Sequence, residues 1–281
     1  MHKLIILLRS LYGYWLKWLY DLHRLRVPSL GVREQADVIV SLTSYGRRVE
    51  KGVVCYSVYS ILRQTVQPKR IILWLSETEW NDGNLPEKVA ALRKKGVEIR
   101  YCEDMRSYKK LLPTLALCPE DTIITIDDDV IYSKHLVATL WEEHLSHPKD
   151  IIGTLVFQAD EQVTYPLWKK APQGAADVRY FTVGAGGVLY PKGSLRAEML
   201  DYEKAKQYAP MADDVWFWAA SVAAGTAKRS ADKPFKNISF DAIYQYFHRG
   251  NALQDSNVKG NELTNDRQIS ATARYMKEQY G

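Results

Sequence analysis

The sequence is poor in cysteine. It holds three in 281 residues, Cys55, Cys102 and Cys118, and none stand in a C-x-x-C pair. An odd number without paired spacing argues against a disulfide framework or a structural zinc site and fits a reducing compartment. Cys55 and Cys102 sit among apolar or aromatic neighbours and read as small buried hydrophobes. Bilayer-length apolar stretches are missing at the N-terminus. The longest run there, Leu4 to Leu8, is far too short to span, and no small-residue cleavage site follows it. There is no G-x-x-x-x-G-K-[ST] and no G-x-G-x-x-G, which removes a P-loop and a dinucleotide fingerprint. A strong charge of one sign is absent too: 38 Lys+Arg against 33 Asp+Glu give +5, too mild to point to nucleic acid. What remains is an ordinary globular balance, 46% hydrophobic and 25% charged, in a length that suits one large α/β domain with or without an appendage.

The charge excess is concentrated. Lys3, Arg9, Lys17, Arg24 and Arg26 face a single acid, Asp21, within the first 26 residues. At about 100° per residue this segment divides into two faces. Leu4, Leu7, Leu8, Leu11, Trp15, Trp18, Leu22 and Leu25 fall on one side, and Lys3, Arg9, Ser10, Lys17, Asp21 and Arg24 on the other. With Tyr12, Tyr14 and Tyr20 added, the pattern is that of a helix lying in a membrane surface. Packing on the protein's own core or in a dimer is the competing reading. Gly13 weakens the helix by roughly 1 kcal/mol relative to Ala, and Pro28 is expected to end it. Residues 1–34 are thus expected as an amphipathic helix and linker, with peripheral membrane contact through 1–27, and residues 35–281 as one catalytic domain.

Within that domain strand and helix alternate. Residues 37–42 (DVIVSL), 70–75 (RIILWL), 97–102 (VEIRYC) and 122–126 (TIITI) read as buried strands. Helical patterns separate them, closed by Pro68, opened by Pro86, stopped at Gly96 and interrupted near Pro113. Such alternation predicts a mostly parallel, doubly wound sheet, with ligands at the carboxyl ends of the strands. Those ends carry Thr43-Ser44-Tyr45, Ser76-Glu77, Glu103-Asp104 and Asp127-Asp128-Asp129. The second half is less regular. It predicts a helix over 135–147, a strand over 151–157, a polar loop over 158–178 and a glycine-interrupted strand over 181–190. An aromatic helix capped by Asp213 or Asp214 follows, then a last strand over 240–247 and a helix near 266–279.

Three consecutive carboxylates repel one another unless a cation is present. Mg²⁺ or Mn²⁺ prefers such hard oxygen ligands. On an extended segment Asp127 and Asp129 share one side and Asp128 takes the other, so the first two are the expected metal ligands. A solvated acidic turn is the plainer alternative. Of Asp213 and Asp214, one can cap a helix and leave the other as a general base. His248, closing the last strand in YQYFHRG, completes a carboxylate metal site or serves structure alone. Gly184, Gly186 and Gly187 would let backbone approach a bound sugar. Lys109 and Lys110 would meet a diphosphate, or else form a solvated helix face.

Six stretches carry a family likeness: 38–49 (VIVSLTSYGRRV), 64–77, 101–113 (YCEDMRSYKKLLP), 123–132 (IITIDDDVIY), 212–226 and 265–268. The chain resembles bacterial GT-A-fold glycosyltransferases of the family 2 type, in the branch of polysaccharide and lipopolysaccharide biosynthesis. The resemblance implies a GT-A, Rossmann-like fold with a nucleotide-sugar-binding half, 35–132, and an acceptor-binding half, 133–281. It implies a nucleotide-sugar donor, expected to be a UDP-sugar. Thr43, Tyr45 and Arg48 would lie near base and ribose, Asp104 would read the base, and Lys109 would approach the diphosphate. Asp127 would face ribose and metal, with Asp128 beside it. Asp127, Asp129 and His248 would hold Mn²⁺ or Mg²⁺, and Asp213 or Asp214 would be the base of an inverting reaction. On the acceptor side the expected contacts are Trp168, Gly186 and Gly187. No R-x-x-R-W motif is present, so single addition to a glycan or lipid-linked glycan is expected, at the cytoplasmic face of the inner membrane. Two rivals stand beside this. A sugar nucleotidyltransferase shares the sheet and the metal-bound aspartate but lacks, here, a glycine-rich basic loop after the first strand. A non-catalytic scaffold would not need the intact aspartates.

Overall fold

The computed structural model describes residues 2–160, 163–232, 237–239 and 264–280. The alternating half folds as its pattern demands. β1 (Gln35–Thr43), β2 (Gln67–Ser76), β3 (Glu98–Cys102) and β4 (Thr122–Thr125) pair in parallel in the order β3-β2-β1-β4. Their crossovers hold α2 (Gly46–Glu50), α3 (Val54–Leu62), α4 (Glu87–Ala90) and α5 (Leu112–Leu117). Residues 38–42 of β1 are all buried, because both faces of the sheet are covered. Val38, Val40 and Leu42 pack in the main core with Val54, Val58 and Ile61 of α3. Ile39 faces the other way, with Ile72, Trp74 and Cys118. Pro86 precedes α4 and Gly96 stops the following turn at φ +87°, as expected. Pro68 does not close the helix. α3 ends earlier, and Pro68 lies inside β2, before the point at which β3 joins it at Ile72, where a missing N–H is tolerated.

Beyond β4 the sheet continues through β11 (Val188–Tyr190), β6 (Ile151–Gly153), β12 (Lys228–Ser230) and β9 (Ala176–Asp177). β11 and β9 run against their neighbours, and β6 and β12 run parallel to each other. The fold is therefore α/β with a central, mostly parallel sheet flanked by helices. Two expected strands are each split between sheets. Residues 151–157 give β6 and then β7 (Val156–Gln158), which joins a small antiparallel sheet with β8 (Lys169–Lys170) and β10 (Tyr180–Thr182). Gly153 marks the break: a Cβ there would meet Thr182 and Val156 at 3.0 Å. Residues 181–190 likewise give β10 and β11, separated by a helical turn over Gly184–Gly186. A second core forms around Trp216 and Phe217 of α8 (Asp213–Ala223), with Tyr108 and Phe181. Trp216 donates its indole N–H to Met199 O at 2.6 Å. α6 (Leu136–Ser146), α7 (Tyr202–Tyr208) and α9 (Asn265–Tyr280) complete the helices used here. The strand expected over 240–247, and His248 with it, lie outside the described residues.

The N-terminal segment forms α1 (His2–Asp21). It ends well before Pro28, in a turn with His23 at φ +54°. Gly13 and Tyr20 are buried, and Tyr20 clusters with Tyr56 and with Ile131 of β5 (Val130–Ile131). Asp21 closes the contact: it accepts from Tyr56 Oη at 2.7 Å and from Lys88 Nζ at 2.8 Å. No helix among the described residues is long and apolar enough to cross a membrane.

Candidate active site

The strand order reverses direction between β1 and β4, and the crevice at their carboxyl ends is the ordinary ligand position on such a sheet. Five segments converge there, one of them the turn over Arg106–Lys110 that supplies Lys110. β1 runs into Ser44, Tyr45 and α2, which carries Gly46, Arg47 and Arg48. β4 runs into the aspartate triplet. The Gly184–Gly186 turn arrives just before β11, and α8 supplies Asp213 and Asp214 in its first turn.

The triplet is neutralised by the protein's own cations. Asp128 is buried and accepts from Ser44 Oγ at 2.5 Å. Arg48 Nη1 also donates to Asp128, and Nη2 donates to Asp129 Oδ2 at 3.2 Å. The Arg48 guanidinium lies over the Tyr45 ring, 5.5 Å from its centroid. Burial works against the Arg48 charge, but Asp128 and Asp129 outweigh it and hold the group far above its ordinary range. Burial raises the Asp128 carboxyl, and Arg48 opposes that rise. The expected alternation fails at Asp129. Residues 128 and 129 form a turn rather than extended chain, so one arginine grips both.

Asp127 belongs to a second cluster. Its N–H donates to Tyr132 Oη at 2.8 Å, and that hydroxyl donates to Ala185 O at 3.3 Å. Its carboxylate meets Lys110 Nζ at 3.0 Å. The same ammonium is 3.0 Å from Asp213 Oδ2 and 3.9 Å from Asp214 Oδ1, while the Lys110 side chain is only 6% exposed. Burial disfavours that charge, yet the three carboxylates carry the Lys110 pKa well above its usual value. Asp214 also accepts from the Gly184 N–H at 3.0 Å. Burial lifts its carboxyl to about 7; Lys110 pulls down, and Asp213 and Asp127 push up. Gly184 is required by this packing: a Cβ would stand 2.7 Å from Lys110 Nζ and 2.9 Å from Asp214 Oδ1.

Several expected roles change. Neither Asp213 nor Asp214 caps α8, since the N-cap position is Ala212 and no side chain bonds there. Asp213 is buried and ion-paired with Lys110. Trp168 packs in the second core with its indole N–H donated to Asp160 O and Val163 O, so it presents no ring to an acceptor. Gly186 and Gly187 make room for the chain itself. Their added Cβ atoms would meet Leu155 and Thr154 at 2.8 Å and Leu136 at 3.1 Å. Lys109 is buried against Asp104, which also accepts the Arg106 N–H, so neither is a free surface charge. Thr43 Oγ1 donates to Trp74 O at 3.0 Å, and Tyr45 keeps 43% of its surface exposed. Among the described residues no three His, Cys, Asp or Glu side chains are grouped to hold a metal ion. Tyr132 and the clash role of Gly184 were not legible beforehand; the only signals were their places beside the triplet and in the GAGG run.

Solved structures with a similar fold include a protein assigned as a glucose-1-phosphate thymidylyltransferase from Bacillus anthracis in complex with sucrose. It is 13% identical, with a TM-score of 0.46, covering 80% of this chain and 96% of that one. A UTP-bound UGPase from Acinetobacter baumannii is 9% identical, with a TM-score of 0.43 and coverage of 88% and 100%. A UDP-glucose pyrophosphorylase complexed with UDP-glucose is 9% identical, with a TM-score of 0.42 and the same coverage. No family model matches, and no curated protein matches in sequence. The expectation of a glycosyltransferase acting on a glycan acceptor is corrected at this point. The matched structures are a thymidylyltransferase and pyrophosphorylases, and Trp168, Gly186 and Gly187, which were to receive the acceptor, are taken up in packing.

Proposed function

We propose that the protein is an enzyme handling nucleotide sugars, and specifically a sugar nucleotidyltransferase. In that reaction a sugar 1-phosphate oxygen attacks the α-phosphorus of a nucleoside triphosphate. A new P–O bond forms, the α–β bridging P–O bond breaks, and pyrophosphate leaves. The observation that best supports this reading is the pair of cations, Arg48 and Lys110, set among aspartates at the β1/β4 crevice. Transfer at phosphorus needs little covalent help from a protein. It needs positioning and charge neutralisation, which fixed cations supply. Arg48 sits on the short basic helix directly after β1, where phosphates would arrive. Tyr45, with its ring exposed, and Thr43 are the proposed base and ribose contacts, with Asp104 and Lys109 alongside.

A divalent cation enters this reading as one carried by the nucleotide. Mg²⁺ is commonly held by one or two carboxylates plus substrate phosphates. Asp127, whose side chain is 32% exposed, and Asp129 are the residues that would hold it. When bound, the ion would neutralise charge on the leaving pyrophosphate.

The test is product analysis. Nucleoside triphosphates and hexose 1-phosphates are supplied with Mg²⁺, and pyrophosphate is measured. Pyrophosphate and a nucleotide sugar are expected, with turnover lowered by about 10²-fold or more in Arg48→Ala. No pyrophosphate from any pair would overturn the reading.

A further inference from the structure

α1 is tied to the body by one face. Gly13 and Tyr20 are buried there, and Asp21 is held by Tyr56 and Lys88. Directly opposite Tyr20 stand Leu11, Trp15, Trp18 and Leu22, recurring at i, i+4, i+7 and i+11. At about 100° per residue these four occupy an arc of about 60°. They are large and apolar, yet each keeps between 47% (Leu22) and 57% (Trp18) of its surface exposed. Tyr12 stacks beside them on Trp15, with ring centroids 5.5 Å apart. A soluble chain gains nothing by leaving two tryptophans and two leucines in one exposed stripe, so the stripe is built for a partner.

Charge selects that partner. The first 26 residues carry a net positive excess, although Lys17 lies over the Tyr56 ring on the docked side and Asp21 is paired with Lys88. Arg24 and Arg26, directly after the helix, are exposed. A second copy of the chain would bring its own Arg24 and Arg26 to the contact and be repelled. An anionic bilayer attracts it, and Trp and Tyr belong at the boundary between headgroups and acyl chains. α1 is long enough but not apolar enough to cross, so the contact is with the surface. We propose that the stripe of Leu11, Trp15 and Trp18 on α1, continued by Leu22 in the turn after it, docks the protein on an anionic lipid surface. The other face of α1 rests on Ile131, in the strand directly after the aspartate turn.

The full chain is floated with vesicles of phosphatidylcholine alone or with phosphatidylglycerol, at low and high salt. Binding to the anionic vesicles is expected at least tenfold above binding to the neutral ones, and reduced by salt. Trp15→Glu combined with Trp18→Glu should lose at least tenfold of it, with an unchanged melting temperature because both side chains are exposed. Absence of wild-type binding to anionic vesicles, or equal binding by the variant, overturns the proposal. So does a concentration-dependent dimer, broken by the same variant, without vesicle binding; that result assigns the stripe to a second copy. None of these outcomes depends on the reaction catalysed.

Discussion

Asp214 is the residue whose chemistry reports most directly on the site. Its carboxyl is raised to about 7, against 3.8 ordinarily, chiefly by burial. Between those values the folded state binds more protons than the unfolded state, so this group makes stability fall as pH rises from about 4 to about 7. Asp214→Asn removes the titration while keeping an oxygen for the Gly184 N–H. The variant's melting temperature relative to wild type should therefore be higher at pH 8 than at pH 5. Thermal melts at the two values check this, and a difference that does not grow with pH contradicts it. Gly184 gives a second test. Gly184→Ala must displace Lys110 or Asp214, and overpacking of this kind costs about 1–3 kcal/mol. A lowered melting temperature together with at least tenfold lower turnover is expected; Gly225→Ala, where a Cβ meets nothing within 4 Å but φ is +70°, should affect stability alone. The sequence exposed the aspartates, because three acids after an apolar run demand a cation. It hid which cation, because Arg48 and Lys110 stand 80 and 17 residues away from the Asp128 and Asp127 they pair with.

Among elements, β1 to β4 were readable because parallel strands buried on both faces become short β-branched runs bounded by Gly, Pro and polar ends. The second half was harder. Residues 151–157 and 181–190 each read as one apolar strand, but close contacts at Gly153 and Gly184 turn the chain between two sheets. α1 was legible as an amphipathic helix with its apolar stripe on one face, but Tyr20, counted among the interfacial aromatics, packs on the body. Tyr20 lies on the buried side, and the leucine and tryptophan stripe on the exposed one. The anchor is testable apart from the lipid contact. Tyr20 is 5% exposed, and Tyr20→Ala should cost roughly 3 kcal/mol of α1 docking. Hydrogen exchange across α1 should then quicken by about a hundredfold, while the β1 and β2 amides keep their protection. Uniform loss of protection would mean that α1 is an integral part of the core.

For the whole molecule, the sheet order puts β1 and β4 side by side; Arg48 and the aspartate triplet follow their carboxyl ends, and Lys110 and the α8 aspartates are brought in from other segments. The arrangement presents two buried or half-buried cations to a crevice, with Tyr45 exposed at its edge and Asp127 partly open. Aspartates after a buried strand suit sugar transfer and nucleotidyl transfer alike, so the sequence pattern alone does not separate these two related chemistries. In the second half, Trp168, Gly186 and Gly187, expected on the acceptor side, are packing residues. The most direct test of the central claim is the identity of the phosphate product. Wild-type protein given a nucleoside triphosphate, a hexose 1-phosphate and Mg²⁺ should release pyrophosphate in step with nucleotide sugar. Free nucleoside diphosphate released from a nucleotide sugar, with no pyrophosphate formed from any triphosphate, would contradict it.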